Sequence, residues 1–190
     1  MLPDFNADGL LPPGTYRMTF AEIRRSFLIL GPPACPNWDV NWRAALLNNL
    51  ERLAEQLWSV RIADIYIDGS FVERKGRPND IDGYFVCDFH DFASGSLQKA
   101  LNYAAGEKIW TWSKDKKRAV NVDGQLKHKL PMWINFRVEL YPVVVRDGKI
   151  QDDFFVKLFR RSKADKPKGI IQLASTKTNN AKRRTRERKS

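Results

Sequence analysis

The stretch that decides the reading is Ile67-Asp68-Gly69-Ser70-Phe71-Val72-Glu73-Arg74-Lys75-Gly76-Arg77-Pro78-Asn79-Asp80-Ile81-Asp82. Ile62 to Asp68 alternates as a strand and runs into Gly69-Ser70. A loop carrying Arg74, Lys75 and Arg77 follows, and Ile81 to Phe85, continuing through Val86-Cys87, reads as the hairpin partner. Asp80 and Asp82 are two apart, so on a strand their carboxylates leave the same face. Held that close they repel unless a cation lies between them. Oxygen ligands with no His or Cys beside them favour Mg²⁺ or Mn²⁺ over zinc. Gly69 permits close backbone approach, and the Ser70 hydroxyl with main-chain N–H groups can hold phosphate oxygens, helped by Lys75 and Arg77. A third carboxylate, Glu139, lies in an alternating run on the face opposite Val138 and Leu140. A phosphate cradle facing carboxylate-held cations is what two-metal phosphoryl transfer requires. No Walker A loop or GxGxxG fingerprint is present.

Outward from this stretch, residues 1–18 read as an extended lead-in that wraps the domain. Thr19 and Glu22 form a capping-box pattern that opens a short helix through about Leu30, stopped by Gly31-Pro32-Pro33. Trp42, Leu46, Leu50, Leu53, Ala54 and Leu57 mark an amphipathic helix from about Val40 to Ser59. A further helix is expected near Ser94 to Ala105, and a strand over Trp133 to Val145 that Pro142 ends or bends. Phe154 to Phe159 and Ile170 to Leu173 read as a late edge strand or hairpin. Trp38, Trp42, Trp58 and Cys87 are expected in the core, and His90 and His128 at the surface.

The chain has 190 residues, 43% of them hydrophobic, and a formal charge of +11. That length suits one domain, here residues 19–175. No apolar run approaches a membrane span, and the N-terminus has no leader pattern. Two cysteines and two histidines without ligand spacing argue against a disulfide framework or zinc site, and a cytoplasmic setting is expected. Residues 176–190 read as a basic flexible tail, in which a solvating end and a phosphate-binding arm both remain open. Lys108 to Lys129 is a second basic stretch with Trp110 and Trp112 beside it. It suits single-stranded nucleic acid, although a W-x-W alternation also suits the buried face of a strand. Lys157, Arg160 and Arg161 are further candidates for contact with a triphosphate or nucleic acid.

A hydrophobic strand, Gly69-Ser70, a loop and Asp80-Ile81-Asp82 resemble the signature of the polymerase-β-like nucleotidyltransferase superfamily. Leu11-Pro12-Pro13-Gly14, Asp153-Phe154-Phe155 and Lys168-Gly169-Ile170-Ile171 extend the likeness to its small stand-alone bacterial and phage members. The resemblance implies an α+β fold with a mixed sheet flanked by helices, an NTP or dNTP bound at Gly69-Ser70, and Mg²⁺ or Mn²⁺ on Asp80, Asp82 and Glu139. In that mechanism the third carboxylate helps to activate the attacking hydroxyl. It implies transfer of NMP to a nucleic-acid 3′ end or growing oligonucleotide, with NMP transfer to a partner protein or a non-catalytic nucleotide-binding subunit as alternatives. It also implies a phage-defence or toxin–antitoxin setting, with a toxin or effector partner and an oligomer possible.

Overall fold

The computed structural model describes residues 2–33 and 35–175; the basic tail from residue 176 lies outside them. In chain order the elements are β1 (Thr15–Met18), α1 (Phe20–Arg24), α2 (Phe27–Leu30), α3 (Val40–Ser59), β2 (Ile65–Asp68), β3 (Ile81–Asp88), α4 (Phe89–Ala93), α5 (Ser96–Ala105), β4 (Arg118–Val122), β5 (Gln125–Lys129), α6 (Pro131–Phe136), β6 (Val138–Arg146), β7 (Lys149–Ile150), α7 (Phe154–Leu158) and β8 (Ile170–Leu173). Six strands make one mixed sheet in the order β1-β8-β2-β3-β6-β7, and β4 and β5 form a separate hairpin. The β1–β8 and β3–β6 pairs are parallel and the others antiparallel. The fold is therefore α+β, a mixed sheet flanked by helices, as expected.

Strand alternation divides the sheet into two unlike faces. Ile65, Ile67, Ile81, Phe85, Val138, Leu140, Ile171 and Leu173 enter the main core with Leu46, Leu47, Leu50, Leu53 and Leu57 of α3. The opposite face carries a smaller aromatic cluster of Tyr66, Tyr84, Tyr141, Phe155 and Phe159. The α3 stripe is as read, with Asp39 accepting from the Trp42 N–H at its N-terminus. Arg43, on the same helix, is fully buried. Its guanidinium lies between Trp38 and Phe71, 4.1 and 4.6 Å from the ring centroids. It donates to the carbonyls of Leu28, Phe71 and Lys75, tying the loop after Ser70 to the core helix. Burial lowers its pKa to about 9.

Several elements differ from expectation. The capping box at Thr19 and Glu22 is present, but Ser26 caps a new turn, so residues 20–30 form two short helices. Trp133–Phe136 end α6 and are not strand. Pro131 is preset for a first helical turn, and Arg137, at φ +54°, stops the helix before Val138. Pro142 does not end β6. It stands where β7 has not yet begun to pair, so its missing N–H breaks no ladder bond on that side. Phe154–Leu158 is a helix, with Phe155 and Phe159 four apart over Tyr141 and Tyr84. β8 is no edge; it lies between β1 and β2. The lead-in ends in the edge strand β1, and Leu10 and Leu11 are buried.

Trp110 is buried and Trp112 packs against the core outside any strand. The Asn102 side chain satisfies both the N–H and the carbonyl of Trp110. Trp38, Trp42 and Trp58 are half-buried at the rim of the core. Cys87 is buried, as expected.

Candidate functional site

Register sets the site. Asp68 of β2 stands opposite Asp82 of β3, and Asp82 opposite Glu139 of β6. One rung further along the same face, Tyr66, Tyr84 and Tyr141 form a parallel row. Three carboxylates thus lie abreast across the middle of the sheet, backed by three tyrosines. Asp80 immediately precedes β3. One carboxylate oxygen from each of Asp80, Asp82 and Glu139 lies within 4.8 Å of the others.

The turn after β2 is shaped to admit this row. Gly69 has φ +72°, and a Cβ there would stand 2.5 Å from Asp82 Oδ2, so any other residue displaces the carboxylate. Gly69 and Ser70 open a 3₁₀ turn and line a cleft of about 350 Å³. Asp68, Asp80 and Asp82 also line it, and Lys75, Lys127, Lys129, Arg161 and Lys163 give it a basic border. A larger hollow of about 570 Å³, between Trp58, Arg61, Asp64 and Gln172, has no comparable carboxylate cluster in its wall.

Two lysines offset the carboxylates in different ways. Lys168, buried, lies 3.1 Å from Asp68 Oδ2 and 2.5 Å from Glu73 Oε1, and donates to the Gly69 carbonyl at 3.3 Å. It therefore braces the start of the glycine turn. Among the described residues, the buried Asp68 Oδ1 has no hydrogen-bond partner. Burial, outweighing Lys168, pushes the Asp68 carboxyl up to about 7. Lys129, at the end of β5, donates to Glu139 Oε2 at 2.6 Å and lies 3.6 Å from Asp80 Oδ2. The Trp133 indole N–H donates to the same Asp80 oxygen at 2.7 Å. Asp82 has neither contact. Burial first, then the charges of Asp80 and Glu139, raise its carboxyl to about 7. Burial and the neighbouring carboxylates also raise the Tyr141 phenol, which stays protonated.

Of the residues anticipated, Asp80, Asp82 and Glu139 meet, and Gly69, Ser70 and Lys75 line the same cleft. Arg77 does not. Its guanidinium pairs with Asp39 and lies 4.6 Å over the Trp42 ring, an arrangement that fixes the loop to the start of α3. Lys157 is paired with Asp153. Arg160 donates to the Thr15 hydroxyl, and Arg161 reaches the cleft while paired with Asp165. Lys129, Trp133, Asp68 and Lys168 fell within stretches read from the sequence, but none was assigned to the site. Asp68 had a local signal in its place before Gly69. The lysines had none pointing to these partners: Asp68, Glu73 and Asp80 are distant in the chain, and Glu139, ten residues from Lys129, is brought to it by the intervening α6.

Residues 3–174 match the family described as "Family of unknown function (DUF6932)", and the chain belongs to that family. No curated protein and no solved structure matches it.

Proposed function

For this member of a family of unknown function we propose metal-dependent nucleotidyl transfer, on a fold of the polymerase-β-like kind, from an NTP or dNTP to a hydroxyl. The observation that carries the reading is the convergence of Asp80, Asp82 and Glu139 beside the Gly69-Ser70 turn in a cleft with a basic border. An all-carboxylate donor set with one member raised by burial first and then by its like-charged neighbours suits a hard divalent cation. Asp80, Asp82 and Glu139 would hold Mg²⁺ or Mn²⁺, which when bound supplies Lewis-acid stabilisation of charge on the transferring phosphoryl group.

The chain's own residues supply the rest. The Ser70 hydroxyl and the main chain of the glycine turn face the phosphates. Lys75 and Lys127 offset their charge, and Glu139 accepts the proton of the attacking hydroxyl. Arg43 and Lys168 position the turn. The basic β4–β5 hairpin beside the cleft favours a polyanionic acceptor, a nucleic-acid 3′ end or growing oligonucleotide.

The test is incubation with each labelled NTP and dNTP and Mg²⁺ or Mn²⁺, with and without a single-stranded primer, beside Asp80→Ala/Asp82→Ala. Extension of the primer or a nuclease-sensitive polymer, lost in the variant, is expected. Label on protein would redirect the reading to a protein acceptor. Absence of any transfer with every nucleotide would end it.

A further inference from the structure

The Lys129 ammonium occupies ground that a metal ion needs. It contacts Glu139 Oε2 and approaches Asp80 Oδ2, oxygens of two of the three residues grouped in the carboxylate triad. It lies 4.9 Å from the Trp133 ring centroid, and Trp133 in turn holds the same Asp80 oxygen. A divalent ion and an ammonium competing for one pair of oxygens would stand about 4 Å apart or closer, where like charges repel strongly in a partly buried site.

The element that carries Lys129 lies outside the central sheet. Among the described residues, β4 and β5 pair only with each other. At their turn, Asp123 accepts one hydrogen bond of 2.5 Å from the Asn79 side chain, next to Asp80 in sequence. Strand alternation puts Val122, Lys127 and Lys129 on one side of the hairpin, and all three line the cleft. Arg118 stands directly across the ladder from Lys129. Two cations facing each other on one ribbon are unfavourable without an anion to share. The carboxylates supply that anion on the floor of the cleft, and a polyphosphate lying between floor and ribbon would supply it equally.

We propose that Lys129 is the resident counter-cation of the carboxylate triad, that entry of the divalent ion displaces it, and that it then pairs with the nucleotide's phosphates beside Lys127. This rests on the reading of the triad as a metal site. Metal loading and engagement of the nucleotide by the β4–β5 hairpin are thereby linked through one side chain.

The experiment is Mn²⁺ binding to the full chain, followed by the electron paramagnetic resonance of free Mn²⁺, for wild type, Lys129→Met and Asp82→Asn. Without nucleotide, Lys129→Met binds Mn²⁺ roughly tenfold more tightly than wild type, because the competing charge is gone. At saturating Mn²⁺, the same variant binds a non-hydrolysable ATP analogue roughly tenfold more weakly, having lost a charge-assisted hydrogen bond. Lys129→Gln gives both comparisons with a polar side chain if methionine impairs folding. Equal Mn²⁺ affinity in wild type and variant, or unchanged affinity for the analogue, overturns the proposal while the metal site stands. Absence of Asp82-dependent Mn²⁺ binding in wild type and the Lys129 variants overturns the metal site and the proposal together.

Discussion

The two faces of the central sheet are built from the same strands and obey opposite rules. Under α3, side chains such as Ile67 and Phe85 are fully buried in an apolar layer, and their contribution comes from the area they remove from water. On the other face, one residue away along each strand, Asp68, Asp82 and Glu139 stand abreast, and two of them are pushed towards neutrality by their surroundings. The first face stabilises the fold. The second draws on that stability to hold like charges together, and strain of this sort accumulates where a protein binds or reacts.

The largest effect should come from the apolar face. Phe85→Ala is expected to cost about 4 kcal/mol, measured by urea unfolding. On the polar face, Lys168→Met should cost about 3 kcal/mol by leaving Asp68 and Glu73 without their cation. Adding Asp68→Asn should recover part of that loss, and full additivity of the two changes would show that the pair is not coupled.

A smaller difference lies in pH. The Asp68 carboxyl ionises near 3.8 when exposed and near 7 when folded, so the native state binds a proton that the unfolded chain has released. The stabilisation is complete below about pH 3.8 and is lost as pH rises towards 7. It falls by at most ~1.4 kcal/mol per pH unit for this one group. Asp68→Asn should flatten that part of the stability profile measured in EDTA; a profile as steep as wild type would assign the slope elsewhere. The smallest effect carries the opposite sign. Asp82→Asn in EDTA at pH 8 should raise stability by about 1 kcal/mol, because it removes one of three crowded charges. A loss of stability there would mean that the row is not under repulsion.

Much of this contrast is legible in the sequence, for a local reason. Asp80-Ile81-Asp82 and Gly69-Ser70 lie within one hairpin, and Glu139 follows from alternation with Val138 and Leu140. Each signal is contained in a few neighbouring residues. Arg43 was not legible as a brace, because its acceptors are main-chain carbonyls, which no residue type reveals. Lys129 and Lys168 read as ordinary basic residues, since ion pairs to Asp80 and Asp68 are set by tertiary structure. The α6–β6 boundary was hidden by Phe136, which keeps the period of the strand while belonging to the helix before it. Arg77 shows the converse, a cation in the expected loop that its partner Asp39 draws away from the cleft.

The insertion of β8 between β1 and β2 bears on the order in which the molecule can assemble. Among the described residues, β1 has no sheet partner except β8, and Thr15 waits for Ile170. Closing so long a loop is slow relative to forming the β2–β3 hairpin or α3, whose contacts are local. During synthesis, the carboxylate row can be in place while the cation that settles Asp68 has yet to emerge. The final residues of the sheet thus act as a late latch: a chain cut short before Lys168 would carry the acidic floor without the brace beneath its glycine turn.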